Sequence, residues 1–327
     1  MKPRFLITKT TSIFQNLAFE EHLLENVKSP ILCMYQNDKT IVIGRNQNPW
    51  KEIHIDRMNE DNVQLCRRKS GGGAVYQDLG NTCFSFITPD KSNVDFKVKN
   101  NSIILRALSA LGIDAVVSGR NDILLDSKKI SGSAYKIHTI GSQTISLHHG
   151  TMMINVEKDA ILRYLNPNKA KLLSKGINSV SSRVMNLAEV DPTINHERFI
   201  TAIRKSFLKE YPNAENTEVT EMPEDVEAKA QAYLNWDWRY GVSPVFTHQL
   251  ENYFSWGLID LQFNVVKGVV EGCKIFSDCL YPDYIDKLET MFIGKRYGIE
   301  MLEDLQKDTS NFQKMSEELA AWLKEKL

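Results

Sequence analysis

The chain has 327 residues, 42% hydrophobic and 25% charged, with a formal net charge of −1. That length exceeds one small core and predicts a large domain plus a smaller one. The balanced charge gives no bulk attraction to nucleic acid or to an anionic membrane. No apolar run approaches the roughly 20 residues that span a bilayer.

In chain order, Met1-Lys2-Pro3-Arg4 runs straight into a strand-like Phe5-Leu6-Ile7. This start lacks a long apolar core and a small-residue cleavage site, so it reads as no signal peptide, and a cytoplasmic location is expected. Ser12 and Gln15 have capping-box spacing, predicting a helix to about Val27 with Leu17, Leu24 and Val27 inward. Strands follow at Ile31–Tyr35 and Thr40–Gly44, then a polar loop closing on Pro49, with Trp50 packing on it, and a helix over 51–61. Asn62–Cys66 and Thr82–Ile87 read as strands framing a loop over Arg67–Asn81, which opens Arg67-Arg68-Lys69-Ser70-Gly71-Gly72-Gly73 and continues through Val75-Tyr76-Gln77. Three glycines in a row let backbone approach a ligand, and N–H groups beside an Arg pair suit an anion such as phosphate. No Gly-Lys-Ser/Thr follows, so this is not a P-loop. A strand rather than a helix follows, so it is not a dinucleotide fingerprint.

Ile104, Leu105, Leu108 and Leu111 mark an amphipathic helix stopped by Gly112. Short strands are predicted at 115–117, 123–125, 129–131, 144–147 and 151–154, then mostly helix over 157–210 with Phe199, Ile200, Ile203 and Phe207 as one stripe. Residues 211–223 read as an exposed connection, 224–235 as a helix, and Ser243-Pro244 as a boundary. Beyond it, Leu258–Phe263 and Val269–Phe276 form a hairpin turned at Lys267-Gly268, and a last helix carries Phe312, Met315, Leu319, Trp322 and Leu323 on one face. The fold class is α+β: a mixed, largely antiparallel sheet flanked by helices over 1–245, plus a small α+β accessory domain over 246–327.

Cys33, Cys66, Cys83, Cys273 and Cys279 include no Cys-x-x-Cys pair and read as free, mostly packing thiols. Lys129-Ile130-Ser131-Gly132-Ser133 puts an ammonium at the head of a strand with small residues beside it, where it can neutralise a carboxylate or phosphate. His148 and His149 point to opposite faces of a strand, so they do not share a metal. A structural or ligand-lining role suits His149 better.

Several stretches in fixed order together resemble lipoate–protein ligase A. They are Gly44-Arg45-Asn46-Gln47-Asn48-Pro49-Trp50, Arg67 through Val75, Gly119-Arg120-Asn121-Asp122, Lys129 through Tyr135, His149-Gly150-Thr151, Leu165-Asn166-Pro167, Lys175-Gly176-Ile177, Ser182-Arg183-Val184 with Asn186-Leu187, and Phe254-Ser255-Trp256-Gly257. The resemblance implies a biotin/lipoate ligase-like catalytic domain and a two-step reaction. Lipoate and ATP give lipoyl-AMP, and the lipoyl group then passes to a lysine of an apo acceptor domain. Acceptors would be 2-oxoacid dehydrogenase E2 subunits or the glycine cleavage H protein, with no nucleic acid or membrane partner. It further implies that Arg68, Gly73, Ala74, Val75 and Tyr76 hold ATP and that Lys129 contacts both ATP and lipoate. Ser70, Gly71, Gly72, His149 and Gly150 would line the lipoate site. Asn81 and Asp122 would extend the pocket, and Asp122 would be a ligand for Mg2+. The alternative is an ATP-independent lipoyl/octanoyl transferase working through a cysteine thioester. The family usually has His where this chain has Gln77, and an amide cannot serve as a general base.

Overall fold

The computed structural model describes residues 1–47, 49–90, 96–119, 121–141, 143–166, 183–240, 248–266, 269–295 and 299–326. The readings above that involve Asn48, the Trp50 side chain, Arg120, Pro167, Lys175-Gly176-Ile177, Ser182, Ser243-Pro244 and Lys267-Gly268 lie outside the described residues.

Among the described residues, eleven strands precede the C-terminal unit: β1 Arg4–Thr8, β2 Ile31–Tyr35, β3 Thr40–Ile43, β4 Gln64–Arg67, β5 Val75–Gln77, β6 Asn81–Asp90, β7 Val116–Ser118, β8 Asp122–Leu125, β9 Lys128–Ile140, β10 Gln143–Met153 and β11 Glu215–Val219. Eight of them form one sheet in the order β11-β1-β2-β6-β10-β9-β8-β7. β1 runs parallel to both neighbours, and the other pairings are antiparallel. Helix α1 (Ile13–Glu25) covers one face through Leu17, Leu23 and Leu24. Ser12 caps α1 by accepting from the Gln15 amide, but the Gln15 side chain takes the Thr10 hydroxyl instead of returning to the cap. Short helices α2 (Pro49–Glu52) and α3 (Ile55–Glu60) stand where one was expected. The other face is covered by α4 (Phe96–Ser109) and, beyond the short α5 (Lys158–Tyr164), by α6 (His196–Glu210). The Phe199, Ile200, Ile203, Phe207 stripe is buried there against Ile104 and Leu108. α7 (Glu224–Leu234) packs beside α1, followed by α8 (Trp236–Arg239).

Two expectations need correction. Residues 215–219, read as connection, form the edge strand β11. Its exposed Glu-Asn-Thr-Glu sequence has no apolar alternation, and it is held by backbone pairing to β1 and by the Lys2–Glu215 and Lys9–Glu218 ion pairs. Likewise, Val75–Gln77 is not loop: β5 pairs antiparallel with β3, which pairs parallel with β4 in a separate three-stranded sheet. The glycine loop is therefore the crossover within this small sheet, pinned at both ends.

The C-terminal unit holds three antiparallel strands rather than two, β12 (His248–Phe254), β13 (Gly257–Val266) and β14 (Val269–Ser277). Helices α9 (Pro282–Phe292), α10 (Glu303–Gln306) and α11 (Gln313–Lys326) complete it around its own core of Phe263, Tyr284, Phe292, Leu319 and Leu323. The segment after β14 docks it onto the glycine loop. Ser277 N–H donates to the Asn46 carbonyl at 2.5 Å and Gly72 N–H to the Cys279 carbonyl at 3.1 Å. Leu280 enters an apolar cluster with Phe96, Ala134 and Tyr135, and Arg45 pairs with Asp286 at 2.7 Å.

Candidate active site

A cleft of about 270 Å³ lies between the glycine loop and the large sheet. Its lining crosses the sheet from Tyr35 on β2 to Asp122 on β8. Four strand spacings separate those strands, roughly 19 Å. The β2 side is apolar, with Ile13 and Leu17 of α1, Tyr35, Val42 and Val75. The β8 side carries Asp122, Lys129 and Arg183, Asn81 lines the cleft from β6, and Leu258, Asp278 and Leu280 reach in from the C-terminal unit.

The loop itself is braced from within. Arg68 donates through Nε to Ser70 Oγ (3.1 Å) and Gly71 O (3.2 Å), through Nη1 to Val42 O (3.1 Å), and through Nη2 to Gly71 O (2.7 Å) and Gly73 O (2.9 Å). A guanidinium has five N–H donors, so one is left for a ligand. Arg67 is committed likewise to the carbonyls of Gly44, Arg45, Gln47, Trp238 and Arg239. Burial pulls both guanidiniums down to about 10, still protonated at neutral pH. The Arg pair read beside the loop's N–H groups thus turns inward, and the two arginines shape the loop. Gly44 has to lack a Cβ, which would sit 2.1 Å from the Gly72 carbonyl oxygen, and Gly72 takes φ +98°. The amides of Gly73 and Ala74, which line the cleft, meet no acceptor among the described residues, so the loop does offer N–H groups.

A buried relay runs beneath. His149 Nδ1 lies 2.8 Å from Glu20 Oε2 and its Nε2 lies 2.6 Å from Ser70 Oγ, so the ring links the two in one hydrogen-bonded chain. Ser85 Oγ also donates to Glu20, and Tyr35 donates to Ser85 at 3.4 Å. Glu20 was missed in the sequence. Its signal was a carboxylate between Leu17 and Leu24 on the inward face of α1. His148 faces the opposite way, fully buried among Phe84, Phe86 and Tyr135. Gly150 is required by packing: a Cβ there would lie 2.6 Å from the Gly132 carbonyl oxygen and the Phe84 ring.

Lys129 stands at a β-bulge between β8 and β9, an irregularity of the kind that re-aims side chains. Its Nζ reaches Asp122 Oδ1 at 2.8 Å, passing over Gly132, where a Cβ would lie 2.5 Å from that Nζ. The small residue therefore makes room for the ammonium itself. Arg183 Nη2 meets the other carboxylate oxygen of Asp122 at 2.9 Å. Sequence reasoning gave Arg183 no role, although it stood inside a recognised stretch. Gln77 ends an amide chain: its Oε1 accepts from Asn37, whose Oδ1 accepts from Asn16, whose Oδ1 accepts from Thr8. With the oxygen engaged, the amide offers the cleft an N–H donor.

Among the described residues, no group of three or more His, Cys, Asp or Glu could hold a metal. Asp122 already accepts from two cations, which does not fit the magnesium role implied for it. Cys33, Cys66 and Cys83 are buried, burial pushes their thiols well up, and none lines the cleft.

A mixed sheet bearing a glycine loop, a strand-borne lysine and a long, half-apolar cleft defines an enzyme of the biotin/lipoate ligase-like class. Residues 12–208 match the lipoyl protein ligase A/B catalytic domain, and residues 243–323 match the bacterial lipoate protein ligase C-terminus. The chain belongs to the lipoate–protein ligase family. It is similar to P. falciparum LipL1, solved in complex with lipoate, at 32% identity over 99% of both chains and a TM-score of 0.87. The lipoate protein ligase of a bipartite system from Thermoplasma acidophilum, described with its E2 lipoyl domain, is 25% identical over 76% of this chain and 100% of that one, with a TM-score of 0.63. A lipoate-protein ligase A bound with ATP shares the fold at 24% identity, over 74% of this chain and 100% of that one, with a TM-score of 0.62.

Proposed function

We propose that this chain is an ATP-dependent lipoate–protein ligase. In the first step a lipoate carboxylate oxygen attacks the α-phosphorus of ATP, the bond to pyrophosphate breaks, and lipoyl-AMP forms. In the second, the amine of an acceptor lysine attacks the acyl carbon, AMP leaves, and the amine gives up a proton. The acceptors are apo lipoyl domains of 2-oxoacid dehydrogenase E2 subunits or glycine cleavage H protein, in the cytoplasm. Among the described residues, no helix is long and apolar enough to cross a membrane.

The observation that carries this reading is the cleft, apolar toward β2 and cationic toward β8, closed above by a loop of N–H donors. An acyl tail lies against Ile13, Leu17, Tyr35 and Val75, with His149 and Ser70 beside it, and this places its carboxylate toward Lys129. Two anions meet there, so a fixed ammonium stabilises the charge that moves between them. The free amides at Gly73 and Ala74 suit the nucleotide. A magnesium ion accompanying ATP would shield phosphate charge. The thioester alternative needs a thiolate, and the buried cysteines with raised pKa values disfavour it. The test is incubation with ATP, lipoate and an apo acceptor domain, followed by pyrophosphate release and intact acceptor mass. Acceptor modification that does not require ATP would overturn the ligase reading.

A further inference from the structure

The Lys129–Asp122–Arg183 group has a geometry that one nucleotide-binding lysine does not explain. Arg183 is placed by backbone as well as by its side chain. Val184 forms a parallel bridge with Lys129, and Met185 N–H donates to the Lys129 carbonyl at 2.9 Å. The segment carrying Arg183 is thus stitched to the strand carrying Lys129. Both cations converge on one carboxylate, Lys129 at 2.8 Å and Arg183 at 2.9 Å, and all three side chains line the cleft. Asp122 holds the two donors apart, each on its own oxygen, as a phosphate would.

We propose that Arg183 is a second cation for the phosphates of the nucleotide, and that Asp122 is an internal counter-ion that phosphate oxygens displace from Arg183 and Lys129. The proposal rests on the ligase reading of this site. A guanidinium presents a planar fork to phosphate oxygens, which an ammonium cannot. In the absence of nucleotide, two unpaired cations at the wall of a partly closed cleft would repel each other; Asp122 offsets that repulsion. When triphosphate arrives, its oxygens take over the N–H donors already aimed inward. Asp122 then has like charge beside it, which weakens nucleotide binding while fixing where the cations stand. Asp122 is therefore a positioning residue, and removing its charge separates affinity from rate.

The experiment uses the full chain and two measurements, calorimetric binding of α,β-methylene-ATP and lipoate-dependent pyrophosphate release from ATP. Arg183→Gln is expected to weaken analogue binding about tenfold or more, the value of a charge-assisted phosphate contact, and to leave lipoate affinity within about twofold. Arg183→Lys should recover part of the lost affinity. Asp122→Asn is expected to bind the analogue more tightly yet release pyrophosphate more slowly. Unchanged analogue affinity in Arg183→Gln, an equal loss of lipoate binding, or weaker analogue binding in Asp122→Asn overturns the proposal. A wild-type protein that binds the analogue but releases no pyrophosphate sinks the ligase reading and leaves the two-cation site standing. A wild-type protein that does not bind the analogue sinks both.

Discussion

The amide of Gly72 donates to the carbonyl of Cys279 at 3.1 Å, so a glycine of the glycine loop is bonded to the C-terminal unit. Beside it, a Cβ on Gly71 would sit 1.8 Å from the same carbonyl oxygen. The two units touch backbone to backbone, a contact that only glycine permits. Gly71→Ala is expected to separate them, with a stability loss of about 1–3 kcal/mol from overpacking read by urea denaturation. If the C-terminal unit excludes water during activation, this variant loses lipoyl-AMP formation while still transferring lipoyl from preformed lipoyl-AMP. Wild-type rates in the first step would show that the contact is not a closure.

Lys129→Ala removes the ammonium from the point where, in the proposed reaction, carboxylate and phosphate meet. The expected loss is about 3–4 kcal/mol of transition-state stabilisation, roughly 10²–10³-fold in rate. Gly132→Ala probes the same feature without removing a charge, since its Cβ would displace Lys129 Nζ from 2.5 Å. Its pyrophosphate release should also fall, though by less. Full activity in Gly132→Ala would mean that the ammonium can work from another position.

Arg68 calls for a different forecast from a simple phosphate contact. Its truncation would leave the carbonyls of Val42, Gly71 and Gly73 without their donor inside the loop. Arg68→Ala should destabilise the protein by about 3 kcal/mol or more and weaken ATP and lipoate together, because Ser70 is anchored by the same guanidinium. Calorimetry showing a loss confined to ATP would restore the direct-contact role.

Much of this fold is legible in the sequence because burial leaves a periodic trace. The α6 stripe and the three glycines both point to what they form. Harder to read is anything fixed by backbone pairing. β11 and β12 are mostly polar, and their strand character comes from neighbours β1 and β13. The site divides the same way. Lys129 and the glycine loop stand out by residue type, whereas the His149–Glu20 contact joins positions 129 residues apart, and an inward carboxylate on α1 does not say which strand it meets. The inward turn of Arg67 and Arg68 is equally invisible, since their acceptors are carbonyls that every residue possesses.

Cys66→Ser and Cys83→Ser test the chemistry of transfer. Both thiols are inaccessible, and burial pushes them far from the thiolate. Each variant should keep its lipoylation rate, with a modest stability loss from placing a hydroxyl in an apolar setting. An acyl thioester trapped on either residue, detected by mass spectrometry, would instead point to ATP-independent transfer.

His148 supplies a pH signature separate from the cleft. Its ring is fully buried among Phe84, Phe86 and Tyr135, and neither ring nitrogen has a hydrogen-bond partner among the described residues. Burial first, then the nearby charges of His149 and Lys97, lowers its pKa to about 3. The unfolded chain binds this proton near pH 6.5, so between about 6.5 and 3 the unfolded state holds a proton that the folded state refuses. Stability tied to this group is therefore complete above about pH 6.5 and declines as pH falls, by an amount on the order of 4 kcal/mol across the window. His148→Leu keeps the volume and abolishes the titration. At pH 7 the unpartnered nitrogens and the lost ring contacts oppose each other, so the variant should lie within about 1 kcal/mol of wild type. At pH 4.5 it should be the more stable protein by about 2 kcal/mol or more. The measurement is urea denaturation of both proteins from pH 7 to pH 4.5, read as the difference between them so that other titrating histidines cancel. Parallel stability curves over that range would mean that His148 takes up its proton in the folded protein as easily as in the unfolded chain.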